Sequence, residues 1–183
     1  MAQFKEKAVT QAAAVLLQLE GGKMNYMKLL KLLYMADRKS LLESGAQFTD
    51  DRMVAMDNGP LLSRTYDLIK EGSKALKDGY WCDHIVTSGY DAYLQADPGN
   101  EELSEDTETR LEQVYAELGM KAEGELSEWT HDPANVPEWK HPNGSSLTIT
   151  PGDILRTAFD EATARKRESD IAEAEGVRNL VGI

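Results

Sequence analysis

Residues 25–60 read NYMKLLKLLYMADRKSLLESGAQFTDDRMVAMDNGP. Leu29, Leu30, Leu32, Leu33, Tyr34 and Ala36 make a helix apolar over far more than the ~100° stripe of a surface helix, which places it at the centre of the fold. Lys28, Lys31, Met35, Arg38 and Lys39 follow at three- and four-residue steps, lining four cations along one narrow polar ridge. Asn25 suits the cap of this helix and Gly45 stops it after Ser44. Thr49-Asp50-Asp51 is a polar turn and residues 52–56 a short extended run. Asp57-Asn58-Gly59-Pro60 then turns the chain, with Pro60 opening a third helix over residues 61–70 that ends near Gly72.

Outward from this stretch, residues 4–20 form a first helix, with Phe4, Ala8, Ala12, Val15 and Leu19 on one side and Gly21-Gly22 as its stop. Residues 80–86 and 90–95 carry enough aromatic and β-branched side chains for two strands joined by a turn at Thr87-Ser88-Gly89. Ser104 caps a helix whose inner side is Leu111, Val114, Tyr115 and Leu118. A short helix spans residues 123–131, a proline-containing loop residues 132–146, and Thr150-Pro151-Gly152-Asp153 opens a last helix reaching at least Lys166. The expected fold class is α+β, mainly α: a helical core of about five to six helices with a small three-stranded antiparallel sheet. Residues 1–165 are expected to form the domain and residues 166–183 a helical extension or tail, with Ile171, Val177, Leu180 and Val181 as a docking strip.

Charge separates along the chain. Residues 97–128 hold eleven acids against Arg110 and Lys121, a net −9 out of −12, whereas residues 23–39 carry +4. Either the two runs pair inside the monomer or form solvated faces, or they make a two-signed surface that docks another protein. An acidic protein has no general attraction for nucleic acid or anionic lipid, so neither is an expected partner, and no stretch approaches the ~20 apolar residues of a membrane span. One cysteine, Cys82, permits no internal disulfide, and the opening MAQFKEKAV lacks the apolar core of a signal peptide; the expected location is the cytoplasm.

The run Lys28-Leu-Leu-Lys31-Leu-Leu-Tyr34-Met-Ala-Asp37-Arg38, the later Gly59-Pro60, and a helix with Tyr66 and Lys70 resemble the Panacea domain. This is the SocA-like antitoxin family, similar also to phage-associated GepA-like proteins. Leu126-Ser127-Glu128-Trp129-Thr130-His131, Pro137-Glu138-Trp139 and the closing helix over residues 149–159 agree in order and spacing, so the resemblance covers roughly residues 3–159. It implies a mainly helical domain with a small sheet, acting without catalysis as an antitoxin that neutralises a cognate toxin by direct contact. It also implies, for SocA-like members, delivery of the toxin to an ATP-dependent protease.

Candidate partner-binding residues are Lys28, Lys31, Tyr34, Asp37, Arg38, Asp57 and Asn58, because tyrosine and arginine concentrate binding energy and turns present side chains to partners. A homodimer is left open. No catalytic residue, cofactor or metal ligand is assigned. Cys82-Asp83-His84 lacks the spacing of common zinc hooks, and phosphate loops and nucleophile elbows are absent as patterns. The enzymatic alternative is a hydrolase or metal enzyme using His131 with Asp132 or Cys82, against a bland reading in which His131 satisfies final helix carbonyls and Trp129 and Trp139 pack a loop.

Overall fold

A computed structural model describes residues 4–71 and 79–181. Its centre is a helix over Tyr26–Ser44 (α2), in which Leu29, Leu30, Leu32, Leu33, Tyr34 and Ala36 are wholly buried, as the breadth of its apolar surface demands. Asn25 Oδ1 accepts from Met27 N at 2.8 Å and Gly45 closes the helix with a left-handed φ of 74°, so both ends are as read. Around it stand Glu6–Leu19 (α1), Glu105–Leu118 (α5), Glu123–His131 (α6) and Pro151–Ala158 (α7), with Ser63–Glu71 (α3), Tyr80–His84 (α4) and Glu161–Val181 (α8) completing eight helices among the described residues.

Instead of one sheet there are two, each antiparallel and three-stranded. Lys23–Asn25 (β1), Asp91–Leu94 (β5) and Ile85–Ser88 (β4) form one, in the order β1-β5-β4. Gly59–Leu62 (β3), Met53–Met56 (β2) and Leu147–Thr148 (β6) form the other, in the order β3-β2-β6. Three expectations change with this. Pro60 does not open a helix: it pairs with Ala55 on an edge strand, where its missing N–H harms no ladder. The next helix starts three residues later, at Ser63, and the stop expected near Gly72 lies outside the described residues. Tyr80–His84 is a helical turn and only Ile85 onward is strand, because Glu6 Oε1 accepts from Trp81 N at 2.9 Å and draws buried Trp81 down onto α1. The β4–β5 turn is Gly89-Tyr90, Ser88 facing Asp91 across the ladder.

The last helical stretch is also divided. Thr150 and Asp153 form a reciprocal cap, Thr150 N donating to Asp153 Oδ2 at 2.8 Å and Asp153 N to Thr150 Oγ1 at 3.1 Å, with Pro151 in the first turn. At Phe159 the backbone turns extended, and Asp160 restarts the chain by accepting from Thr163 N at 3.0 Å. Helix α8 then runs through residues 165 and 166, and Ile171 packs against the core.

The start of α3 shows how the fold satisfies buried ends. Asp51, from the loop before β2, accepts from Arg64 N, Thr65 N and Thr65 Oγ1 at 2.9, 2.9 and 2.7 Å. A residue twelve positions upstream of Ser63 thus supplies the cap that no neighbouring side chain gives. Asp51→Ala leaves a buried amide and hydroxyl without acceptors and is expected to lower stability by about 3 kcal/mol, against about 1 for Thr65→Val. Urea denaturation of both variants checks this; equal losses would show that the carboxylate is not the cap.

Candidate functional site

Lys28, Lys31 and Arg38 of the expected ridge lie where α2 meets another segment, while Lys39 approaches Glu43 on the same helix. Lys28 and Lys31 are buried, Asp37 is completely so, and Arg38 and Lys39 are half-buried. Lys28 Nζ pairs with Glu20 Oε1 at 2.5 Å, and Glu20 Oε2 also accepts from Tyr115 OH at 2.7 Å, tying α1 and α5 to the helix. Lys31 Nζ donates to the Pro60 carbonyl at 2.8 Å. Asp37 Oδ1 accepts from Phe48 N and Thr49 N, and its Oδ2 from Gln47 Nε2 and Thr49 Oγ1, which pins the loop after α2.

The densest of these junctions joins α2 to the segment after α6. Glu138, whose side chain is wholly buried, accepts from Tyr34 OH at 2.7 Å and from Arg38 Nε and Nη2 at 2.6 and 3.1 Å. Arg38 Nη2 reaches on to Thr157 Oγ1 of α7 at 3.2 Å. A two-point guanidinium–carboxylate contact holds geometry better than a lysine would. The next residue, Trp139, donates from Nε1 to the Met56 carbonyl at 3.2 Å and stacks on the His131 ring at 4.3 Å.

Burial sets the protonation along the seam. It lowers Lys31 to about 7 and raises Asp37 to about 6, although the four hydrogen bonds at Asp37 favour its charged form. Burial, followed by the Glu138 charge, pushes the Tyr34 hydroxyl well above the usual phenol range and keeps it a donor. Burial, with the Lys31 charge adding to it, lowers His131, the residue expected to satisfy the final carbonyls of α6. The carbonyl of Trp129 is met by Asp132 N and Asn135 Nδ2 instead.

Gly59 shows why the turn has its sequence. Its φ is +95°, and an added Cβ would lie 2.6 Å from Thr130 Oγ1 and 2.7 Å from Lys31 Nζ. The tight packing lifts Asp57 and Asn58 into solvent. Asp57 Oδ1 accepts from Gly144 N at 3.2 Å and the Asn58 carbonyl from Ser127 Oγ at 3.0 Å, so the exposed turn is braced from both sides.

The charged runs do not pair with each other. Lys23, Lys28, Arg38 and Lys39 pair with Asp91, Glu20, Glu138 and Glu43, all outside residues 97–128. Nor does the structure assemble the enzymatic alternative. Cys82 lies on α4, its thiol pushed up by burial and by Glu6 and Asp83, His84 bonds Tyr80, and His131 lies at the end of α6 against Trp139. Among the described residues no three of His, Cys, Asp and Glu are grouped to hold a metal ion. Glu138 and Gly59, central to the seam, were quoted only as parts of the motif; the signal available for Glu138 was an acid between a proline and a tryptophan in a loop facing a basic helix.

The family model described as Antitoxin SocA-like, Panacea domain, matches residues 29–140. The chain belongs to this family. The matched span begins in the first turn of α2 and runs through Gly59-Pro60, Thr130-His131 and Glu138-Trp139, so it contains the junction of Tyr34 and Arg38 with Glu138, while Lys28, Glu20 and the closing helix lie outside it. No curated protein and no solved structure matches the chain.

Glu138→Gln is expected to lower stability by about 3 kcal/mol, because the half-buried Arg38 loses its counter-charge and Tyr34 and Arg38 lose a charged acceptor. Chemical denaturation checks the loss, and a change below about 0.5 kcal/mol would show the contact to be dispensable. For Lys31 the sign is fixed by its lowered value: between about pH 7 and 10 the unfolded chain keeps the proton that the folded chain has released. The stability of the wild type minus that of Lys31→Met should therefore rise across that range and be flat below it, as pH-resolved melting would show.

Proposed function

We propose that this chain is a cytoplasmic antitoxin that neutralises a cognate toxin by stoichiometric protein–protein contact, without turnover. The family match over residues 29–140 carries this reading. The geometry supports it from another side: the polar residues of the family motif are engaged in holding segments together, which suits a rigid binding body. Among the expected contact residues, Lys28, Lys31, Tyr34 and Asp37 are buried and support the surface from beneath, whereas Asp57 and Asn58 stand exposed on a braced turn. No helix among the described residues is long and apolar enough to cross a membrane.

A second reading, an adaptor that hands the toxin to an ATP-dependent protease, is favoured by the far end of α8. Val177 and Leu180 are 60% and 88% exposed at a three-residue spacing, an apolar edge suited to a second docking event. Deleting residues 175–183 separates the two: an adaptor loses toxin turnover but keeps toxin binding.

The test is co-expression with the adjacent reading frame. Expression of the neighbour alone should arrest growth, co-expression should restore it, and the two chains should co-purify in a fixed ratio. A harmless neighbour, or one still lethal beside this chain, would overturn the reading.

A further inference from the structure

Tyr66 and Lys70, which carry part of the family resemblance, take no part in the seam. Both lie on α3, whose outer side also bears Arg64 and Asp67. Arg64, Asp67 and Lys70 are exposed at three-residue steps, so one side of this short helix meets solvent.

Each cation on that side rests on an aromatic ring. Arg64 Cζ lies 5.6 Å from the centre of the Phe4 ring, and Lys70 Nζ lies 4.6 and 5.7 Å from the centres of Tyr26 and Tyr66. Lys70 Nζ also donates to Tyr26 OH at 2.6 Å, and the Tyr26 ring stacks on Tyr90, which stands 72% exposed at the β4–β5 turn. Beside the start of α3, the exposed Arg52 donates from Nη2 to Ser63 Oγ at 2.9 Å.

The charge of these groups is not neutralised from within. Among the described residues Arg52, Arg64 and Lys70 take part in no ion pair, and the nearby acids are engaged elsewhere. Asp50 pairs with Lys5 at 2.8 Å and Asp91 with Lys23 at 2.9 Å, while buried Asp51 spends its charge on the first amides of α3. Asp67 is the exposed acid among the described side chains of α3, so three cations face one carboxylate on a chain whose net charge is −12.

We infer that this side of α3 docks an acidic segment of the partner toxin, its carboxylates on Arg52, Arg64 and Lys70 and its neighbouring side chains beside Tyr66 and Tyr90. This rests on the antitoxin reading and adds the chemistry of the bound segment. A cation seated on a ring is fixed before binding and still has N–H donors to give: Lys70 makes one hydrogen bond, and the Arg64 side chain makes none among the described residues. Guanidinium groups meet carboxylates in two-point contacts, and tyrosine and arginine are the types in which binding energy concentrates. Charge also decides between occupants. Nucleic acid and an anionic membrane are extended polyanions that would meet the acids of the remaining surface, whereas a short acidic segment meets α3 alone. A second copy would bring its acids to α3 through two unlike faces, a contact that propagates into rings or open chains.

The test uses the full chain with the product of the adjacent reading frame and, separately, with a fluorescently labelled fifteen-residue peptide of glutamate and tyrosine. The control peptide has glutamine for glutamate. Anisotropy titration should show binding of the glutamate peptide alone, falling with added salt. Arg64→Glu/Lys70→Glu, at exposed positions, should weaken it about tenfold or more at unchanged helicity by circular dichroism. Arg64→Gln/Lys70→Gln should weaken it less, and carries the test if the reversal impairs folding. Growth rescue and co-purification with the neighbour's product should be lost in the Arg64→Glu/Lys70→Glu variant and kept by Glu112→Lys/Glu117→Lys on α5.

Equal binding of the two peptides, indifference to the charge reversal on α3, or equal loss of co-purification in the α3 and α5 variants would overturn the proposal. So would tighter binding of a fifteen-nucleotide single-stranded DNA than of the peptide, or assemblies of this chain alone that the α3 reversal disperses in sedimentation. If the wild type rescues growth and the reversed α3 variant rescues equally well, the α3 assignment falls and the antitoxin reading stands. Charge-dependent peptide binding with a harmless neighbour would be the reverse.

Discussion

The burial of a polar stripe on the central helix is the constraint on which the rest of the structure depends. A helix that is surrounded on nearly all sides has nowhere to send its charged side chains, and an uncompensated buried charge is among the most destabilising features a fold can carry. The buried groups on α2 therefore take partners from other parts of the chain. Lys28 takes the end of α1, Lys31 the β2–β3 hairpin, Asp37 the loop after its own helix, and Tyr34 with Arg38 the segment after α6. The spacing that aligns these residues on one helix face also sets the order in which distant segments are fastened beside it.

From this follows a division of labour between inside and outside. Lys28, Lys31, Tyr34 and Asp37 fasten the fold with little exposure to solvent. What the seam leaves exposed is a braced Asp57-Asn58 turn and an apolar edge near the end of α8, the surfaces that the proposed binding role would use. Rigid support beneath an exposed surface suits the contact role proposed above, because preorganised surfaces lose less freedom on binding.

Much of the architecture was legible from local patterns. The width of the apolar face announced that α2 is central, and the caps at Asn25, Ser104 and Thr150 marked helix starts because capping is a short-range hydrogen bond. The misreadings share one cause. Pro60 is compatible with a helix start by its own dihedral, but ladder pairing with Ala55 and the remote cap from Asp51 moved that start to Ser63. Tyr80–His84 has strand-like composition, yet a hydrogen bond from Trp81 N to Glu6 made it helical. In each case a partner far along the chain overrode the local preference.

The sequence by itself determined the helix-rich class, the family and the central place of α2, since periodicity, motif order and capping are properties of neighbouring residues. Only the tertiary structure decided the meaning of the ridge of lysines and arginines on that helix. Periodicity places side chains on one face without saying what covers it, and a narrow polar stripe reads alike whether water or buried acceptors lie opposite. Here Glu20, the Pro60 carbonyl and Glu138 lie opposite Lys28, Lys31 and Arg38, so of the internal face and the docking surface that the ridge allows, these three side chains form the internal one.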